Sequence, residues 1–101
     1  MRAMLDPATA VRRSPRAAYR KLQDGAGGVL LNLDTAAYHG VNEIGALIWS
    51  LLDDGPTISV LIARMRAAVP EAPPQLDDDV AAFVQGLAER ELVSLSRAES
   101  A

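Results

Sequence analysis

His39 is the only histidine in this 101-residue chain, and there is no cysteine. Neutral-pH acid–base catalysis, a Ser-His-Asp triad or an imidazole metal site would each have to be built around that one side chain. The missing thiols exclude disulfides, thiolate nucleophiles, thiolate zinc sites and iron–sulfur clusters. His39 has no second histidine to work with and no phosphate-cradling loop nearby, so it reads as a surface strand histidine with no acid–base or metal role. The other dense polar feature is Asp77-Asp78-Asp79. Three successive residues diverge on a helix and cannot converge on one cation. A helix cap with two further carboxylates on the macrodipole explains them more simply. No catalytic residue, metal or cofactor is assigned, and the expected chemistry is binding.

Gly25-Ala26-Gly27-Gly28 has no Lys-Ser/Thr after it and leads into a strand, so it is a flexible loop and not a phosphate site. Trp49 extends an apolar helical stripe and is expected in the core. Residues 1–21 hold six Lys/Arg against one Asp, and the other eighty hold four against twelve acidic residues. The head is basic and the body acidic, opposite to the basic folded face of a nucleic-acid binder. With four aromatic residues in the chain, base stacking is equally disfavoured. No apolar stretch is long enough for a signal peptide or a membrane span, so the expectation is a cytoplasmic protein that binds neither nucleic acid nor membrane.

The elements that must position any site follow from periodicity. Val29 to Leu33 is an apolar run of strand length with Val29, Leu31 and Leu33 on one face. Asp34-Thr35-Ala36 makes a turn, and Ala37 to Val41 returns as the second strand of a hairpin. Ala10 to Arg13 and Ala18 to Leu22 are weaker strands around Ser14-Pro15, suited to a sheet edge. Asn42 caps a helix whose Ile44, Leu47, Ile48, Leu51 and Leu52 share a face up to Gly55-Pro56. Thr57 caps a second helix with Ile58, Leu61, Ile62, Met65 and Val69, ended by the proline-rich stretch 70–74. Asp77-Asp78-Asp79 opens a third, with Val80, Phe83, Val84 and Leu87 buried, and Leu92 to Leu95 closes the domain. The fold class is α+β, a three-stranded antiparallel N-terminal sheet followed by three helices. Residues 1–8 are expected to be a flexible N-terminus, 9–95 the domain and 96–101 a disordered tail.

Gly28-Val29-Leu30-Leu31-Asn32-Leu33, Tyr38-His39-Gly40-Val41-Asn42-Glu43, Ile48 through Gly55, and Asp79-Val80-Ala81-Ala82-Phe83-Val84 with Leu87 and Leu92-Val93 stand in an order that resembles the PqqD-like family. The resemblance covers about residues 9–95. It implies a winged-helix-like recognition element, without catalytic activity, that binds the leader segment of a ribosomally made precursor peptide. A short, free-standing member looks like the recognition protein of a lasso-peptide pathway, serving a separate leader protease and a cyclase. The alternatives are a peptide chaperone of quinone-cofactor or other modified-peptide biosynthesis and, less favoured, a winged-helix DNA-binding protein. The chain departs from the family pattern at Ala36-Ala37, where a turn glycine is usual, and at Glu91, where a glycine commonly precedes the last apolar pair.

The family adds the leader as an extra strand beside its third strand and over its third helix. In this sequence that places Thr35, Ala36, Ala37, Tyr38, His39, Gly40 and Val41 on the pairing edge, with the small residues admitting a second backbone. On the helix, Asp79, Ala82, Phe83, Gly86 and Arg90 recur at helical spacing and, with Leu87, would floor a shallow groove.

Overall fold

The computed structural model describes residues 6–22 and 27–97. Its elements are β1 (Thr9–Arg13), β2 (Ala17–Lys21), β3 (Gly27–Asn32), β4 (Tyr38–Asn42), α1 (Glu43–Ser50), α2 (Ile58–Ala68), α3 (Leu76–Glu89) and β5 (Val93–Arg97). The α+β class holds, and β2-β3-β4 form the expected three-stranded antiparallel sheet. The chain's first strand is not part of it. β1 pairs antiparallel with β5, Val11 opposite Leu95, in a second, two-stranded sheet. The closing run is therefore a strand. It continues through Ser96 and Arg97, beyond the boundary at 95, and residues 98–101 lie outside the described residues. So do residues 1–5 of the expected flexible N-terminus.

The break between β1 and β2 has a local cause. Pro15 has no N–H to give a ladder, the Ser14 N–H goes to the Leu92 carbonyl at 3.0 Å, and the chain turns with the Ala17 N–H on the Ser14 carbonyl. β1 thus stays with the end of the chain while β2 departs to the other sheet.

Gly27 and Gly28, expected in a flexible entry, are the first residues of β3; Gly25 and Ala26 lie outside the described residues. Gly27 has φ +147°, and a Cβ there would strike the Val41 carbonyl. A Cβ on Gly28 would strike the Tyr19 ring. Both glycines are required by close packing. The face of β3 that carries Val29 and Leu31 is also not the one turned to the core, because Leu30 is the fully buried residue. Leu33 falls past the strand end and is exposed.

α1 and α2 begin where their caps predict. Asn42 Oδ1 accepts from the Gly45 N–H at 2.8 Å and Thr57 Oγ1 from the Val60 N–H at 3.2 Å. α1 stops at Ser50, short of Gly55. The Ser50 hydroxyl donates to the Leu47 carbonyl, a local bond that competes with helix continuation. Beyond it Arg64 takes the Leu51 carbonyl and both Asp54 carboxylate oxygens. That pairing holds the Asp54 carboxyl below its ordinary range.

α3 begins two residues earlier than a cap at Asp77 would set it. Leu76, 5% exposed, is drawn into the core as the first helical residue, and Gln75 takes the cap position without a side-chain bond. The three aspartates fill the first turn and none is the cap; Asp77 instead pairs with Arg66 at 2.9 Å. Their carboxylates still favour the helix dipole.

The core joins both sheets to the helices through Val11, Leu30, Ile48, Leu61, Met65, Val80, Val84 and Leu92. Trp49 is in it, 5% exposed. Arg13 stacks over its ring at 5.0 Å, donates to its carbonyl and reaches Asp53. Part of the basic head is therefore structural, including Arg16, which is paired with Asp34 at 2.9 Å.

Candidate functional site

β4 ends the three-stranded sheet, so one of its edges has no strand partner among the described residues. Which groups face that edge follows from the ladder. The Asn32 N–H donates to the Ala37 carbonyl at 2.8 Å, which makes 32 and 37 a hydrogen-bonded pair. Alternation in an antiparallel ladder then assigns His39 and Val41 to β3 and turns the backbone N–H and C=O of Tyr38 and Gly40 to the open edge. An open edge of this kind is a template for another extended chain.

The side chains of β4 alternate the other way. His39 pairs with the buried Leu30 and faces inward, as does Val41, whereas Tyr38 pairs with Leu31 on the outer face and is 73% exposed. Between the inward face of β4 and α3 lies an open groove of about 530 Å³, lined by His39, Gly40, Val41, Ala82, Phe83, Gly86, Leu87 and Arg90. All eight are among the residues anticipated for the site. Its floor carries little side chain at Gly86, where an added Cβ would meet only the Arg90 Nη1 at 3.3 Å. At Gly40 an added Cβ would meet nothing within 4 Å.

The remaining five anticipated residues stand elsewhere. Thr35, Ala36 and Ala37 precede β4 and form its turn, so the exposed edge begins at Tyr38 and runs to Asn42. The turn is pinned by Asn32, whose Oδ1 accepts from the Asp34 and Thr35 N–H groups. The Ala37 carbonyl is already occupied by β3. Tyr38 contributes its backbone to the edge but its ring to the outer face. Asp79 lies beyond Phe83 in an adjoining chamber of about 420 Å³, mostly apolar, lined also by Ile44, Gly45, Val69, Leu76 and Val80. Phe83 lines both chambers and divides them.

Two residues that build the site carry no local signal of that role. A Cβ at Gly45 would come within 3.0 Å of the Phe83 ring and 3.2 Å of Val41 Cβ, so the bare backbone of α1 is what seats Phe83. Asn32, 3% exposed, ties the β3–β4 turn to the C-terminal end of α3 by donating to the Arg90 carbonyl at 3.0 Å. The two departures from the family pattern coincide with the described residues, other than glycine, that have positive φ: Ala36 at 64° and Glu91 at 60°.

Among the described residues no group of three or more His, Cys, Asp or Glu could hold a metal ion. No helix among the described residues is long and apolar enough to cross a membrane.

Residues 27–93 match the family described as coenzyme PQQ synthesis protein D (PqqD). The chain belongs to the PqqD family. The match spans β3 through the start of β5 and includes the whole groove. Two solved structures are similar to this PqqD-family chain. One, TbiB1 in complex with the TbiA(beta) leader peptide, is 27% identical with a TM-score of 0.71, over 87% of this chain and 99% of that one. The other, a lasso peptide synthetase B1 complexed with the leader peptide, is 25% identical with a TM-score of 0.67, over 83% and 96%. No curated protein matches the chain in sequence.

Proposed function

We propose that this PqqD-family chain is a leader-binding protein of lasso-peptide biosynthesis. A leader segment adds as a strand to the open edge of β4, taking the backbone groups of Tyr38 and Gly40, and sets alternate side chains into the groove against Ala82, Phe83, Gly86 and Leu87. The chain performs no bond chemistry in this reading. It is a cytoplasmic, winged-helix-like recognition domain running from β1 through β5 that presents the bound precursor to a separate leader protease and to a cyclase.

The single observation that carries the proposal is the open β4 edge lying beside a groove whose eight lining residues include main chain, apolar side chains and two basic groups. It is supported by the two similar structures, both complexes with leader peptides. The name of the matched family favours a second reading, a peptide chaperone in quinone-cofactor biosynthesis. The same edge and groove would serve it, with a different precursor.

DNA binding fits less well. α3 opens with three aspartates, and a recognition helix that meets phosphate needs the opposite charge. The test is a titration with a synthetic lasso-precursor leader peptide and, separately, with duplex DNA, each at low and high salt. Leader binding that persists at high salt supports the proposal. Binding only to DNA, lost by orders of magnitude as salt rises, would replace it.

A further inference from the structure

Resting on that reading of the site, we propose that the groove selects a leader carrying a carboxylate side chain, Asp or Glu, at the position that lies over Gly86, where Arg90 and His39 receive it. Among the described residues, the only ionisable side chains lining the groove are His39 and Arg90. Both carry positive charge or none, on a protein whose last eighty residues hold twelve acidic groups against four basic ones.

Arg90 is held for such a contact but lacks its partner. Arg13, Arg16, Arg64 and Arg66 each have an aspartate within 4 Å, whereas Arg90 is in no ion pair among the described residues. Its Nη1 donates to the Gly86 carbonyl one turn earlier on the same helix, at 3.3 Å. A guanidinium has five N–H donors, and that single bond leaves a pair of parallel ones for a bidentate carboxylate. Gly86 makes this seat: any side chain there would crowd the Arg90 Nη1, already at 3.3 Å from a Cβ position.

The chamber beyond Phe83 has the opposite sign. Its only ionisable lining residue among those described is Asp79, in otherwise mostly apolar surroundings. A leader acid is attracted at one end of α3 and repelled at the other, so the pair of chambers fixes register as well as composition.

The test titrates the parent, Arg90→Gln and Arg90→Lys with the fluorescently labelled leader and with single variants in which each of its Asp or Glu residues becomes Asn or Gln. Arg90 is an exposed cap residue at the helix end, so circular dichroism is expected to stay native. The expected result is a loss of about tenfold for Arg90→Gln, as for one charged hydrogen-bonded contact. One particular leader acid should show the same loss against the parent and no further loss against Arg90→Gln, with Arg90→Lys intermediate. Tight binding by the parent with Arg90→Gln unchanged, with every leader acid additive to it, or with a leader lacking acids would overturn the inference and leave the leader-binding reading standing. Failure of the parent to bind any leader would overturn both.

Discussion

The side-chain amide of Asn32 donates to the Arg90 carbonyl at 3.0 Å while its oxygen accepts from the backbone of Asp34 and Thr35. One buried side chain thus sets the end of β3, the turn into β4 and the C-terminus of α3, the two walls of the groove. Asn32→Ala leaves three backbone groups without their partner, each of which costs about 1 kcal/mol or more when water cannot replace it. The expected loss is about 2–4 kcal/mol in urea unfolding with an unchanged slope. A midpoint equal to the parent's would show that the turn and helix end hold without it.

Trp49→Ala is expected to cost about 3–5 kcal/mol, because it removes a buried indole and the ring beneath Arg13. Differential scanning calorimetry checks this. A thermal midpoint close to the parent's would mean that the surrounding apolar stripe closes over the gap.

Ala36 and Glu91 hold positive φ without being glycine. Glu91 does so at the end of α3, where its N–H meets the Ala88 carbonyl and the Leu92 N–H the Leu87 carbonyl. This is the paired-bond helix ending that favours glycine. The left-handed conformation costs a side-chain-bearing residue roughly 1–2 kcal/mol, and a new glycine gives back roughly 0.4–1 through the unfolded chain. Ala36→Gly and Glu91→Gly should therefore each stabilise by about 0.5–1 kcal/mol in chemical denaturation. A loss of stability in both would refute the strain assigned to these positions.

Local chemistry made much of this fold legible. Asn42 and Thr57 announce the starts of α1 and α2 by residue type, Trp49 is placed in the core by its position on a helical stripe, and the β3–β4 hairpin shows in its apolar run and polar turn. What stayed hidden depends on distant partners. β1 joins β5, Thr9 opposite Arg97, and nothing in either five-residue strand names the other. Gly45 looks like an ordinary helix glycine until Phe83, far along the chain, is laid on it. α3 starts two residues before a cap at Asp77 would set it, because burying Leu76 outweighs three good capping aspartates. On α3, helical spacing sets Ala82, Phe83, Gly86 and Arg90 on one face, and these four line the groove. The family resemblance extends the pairing edge back to Thr35, whereas the polar turn read from the residues is what the structure keeps, with Asn32 bending the chain there and β4 starting at Tyr38.

Gly40→Pro tests the strand-addition step. The Gly40 N–H faces away from β3, so proline removes a donor from the open edge without breaking a bond of the existing ladder. Leader affinity is expected to fall at least about tenfold, or 1.4 kcal/mol, with the circular dichroism spectrum retained. Unchanged affinity would place the peptide off this edge.

The most direct measurement is a fluorescence anisotropy titration of the labelled leader against the parent and Gly86→Leu. Leucine is a better helix former than glycine, and its Cβ at position 86 would meet only the mobile end of Arg90, so α3 should be kept while the rest of the side chain fills the groove. Native circular dichroism and leader binding weakened at least about tenfold are expected. Gly86→Leu binding the leader as tightly as the parent does would contradict this, since no peptide could then lie between β4 and α3.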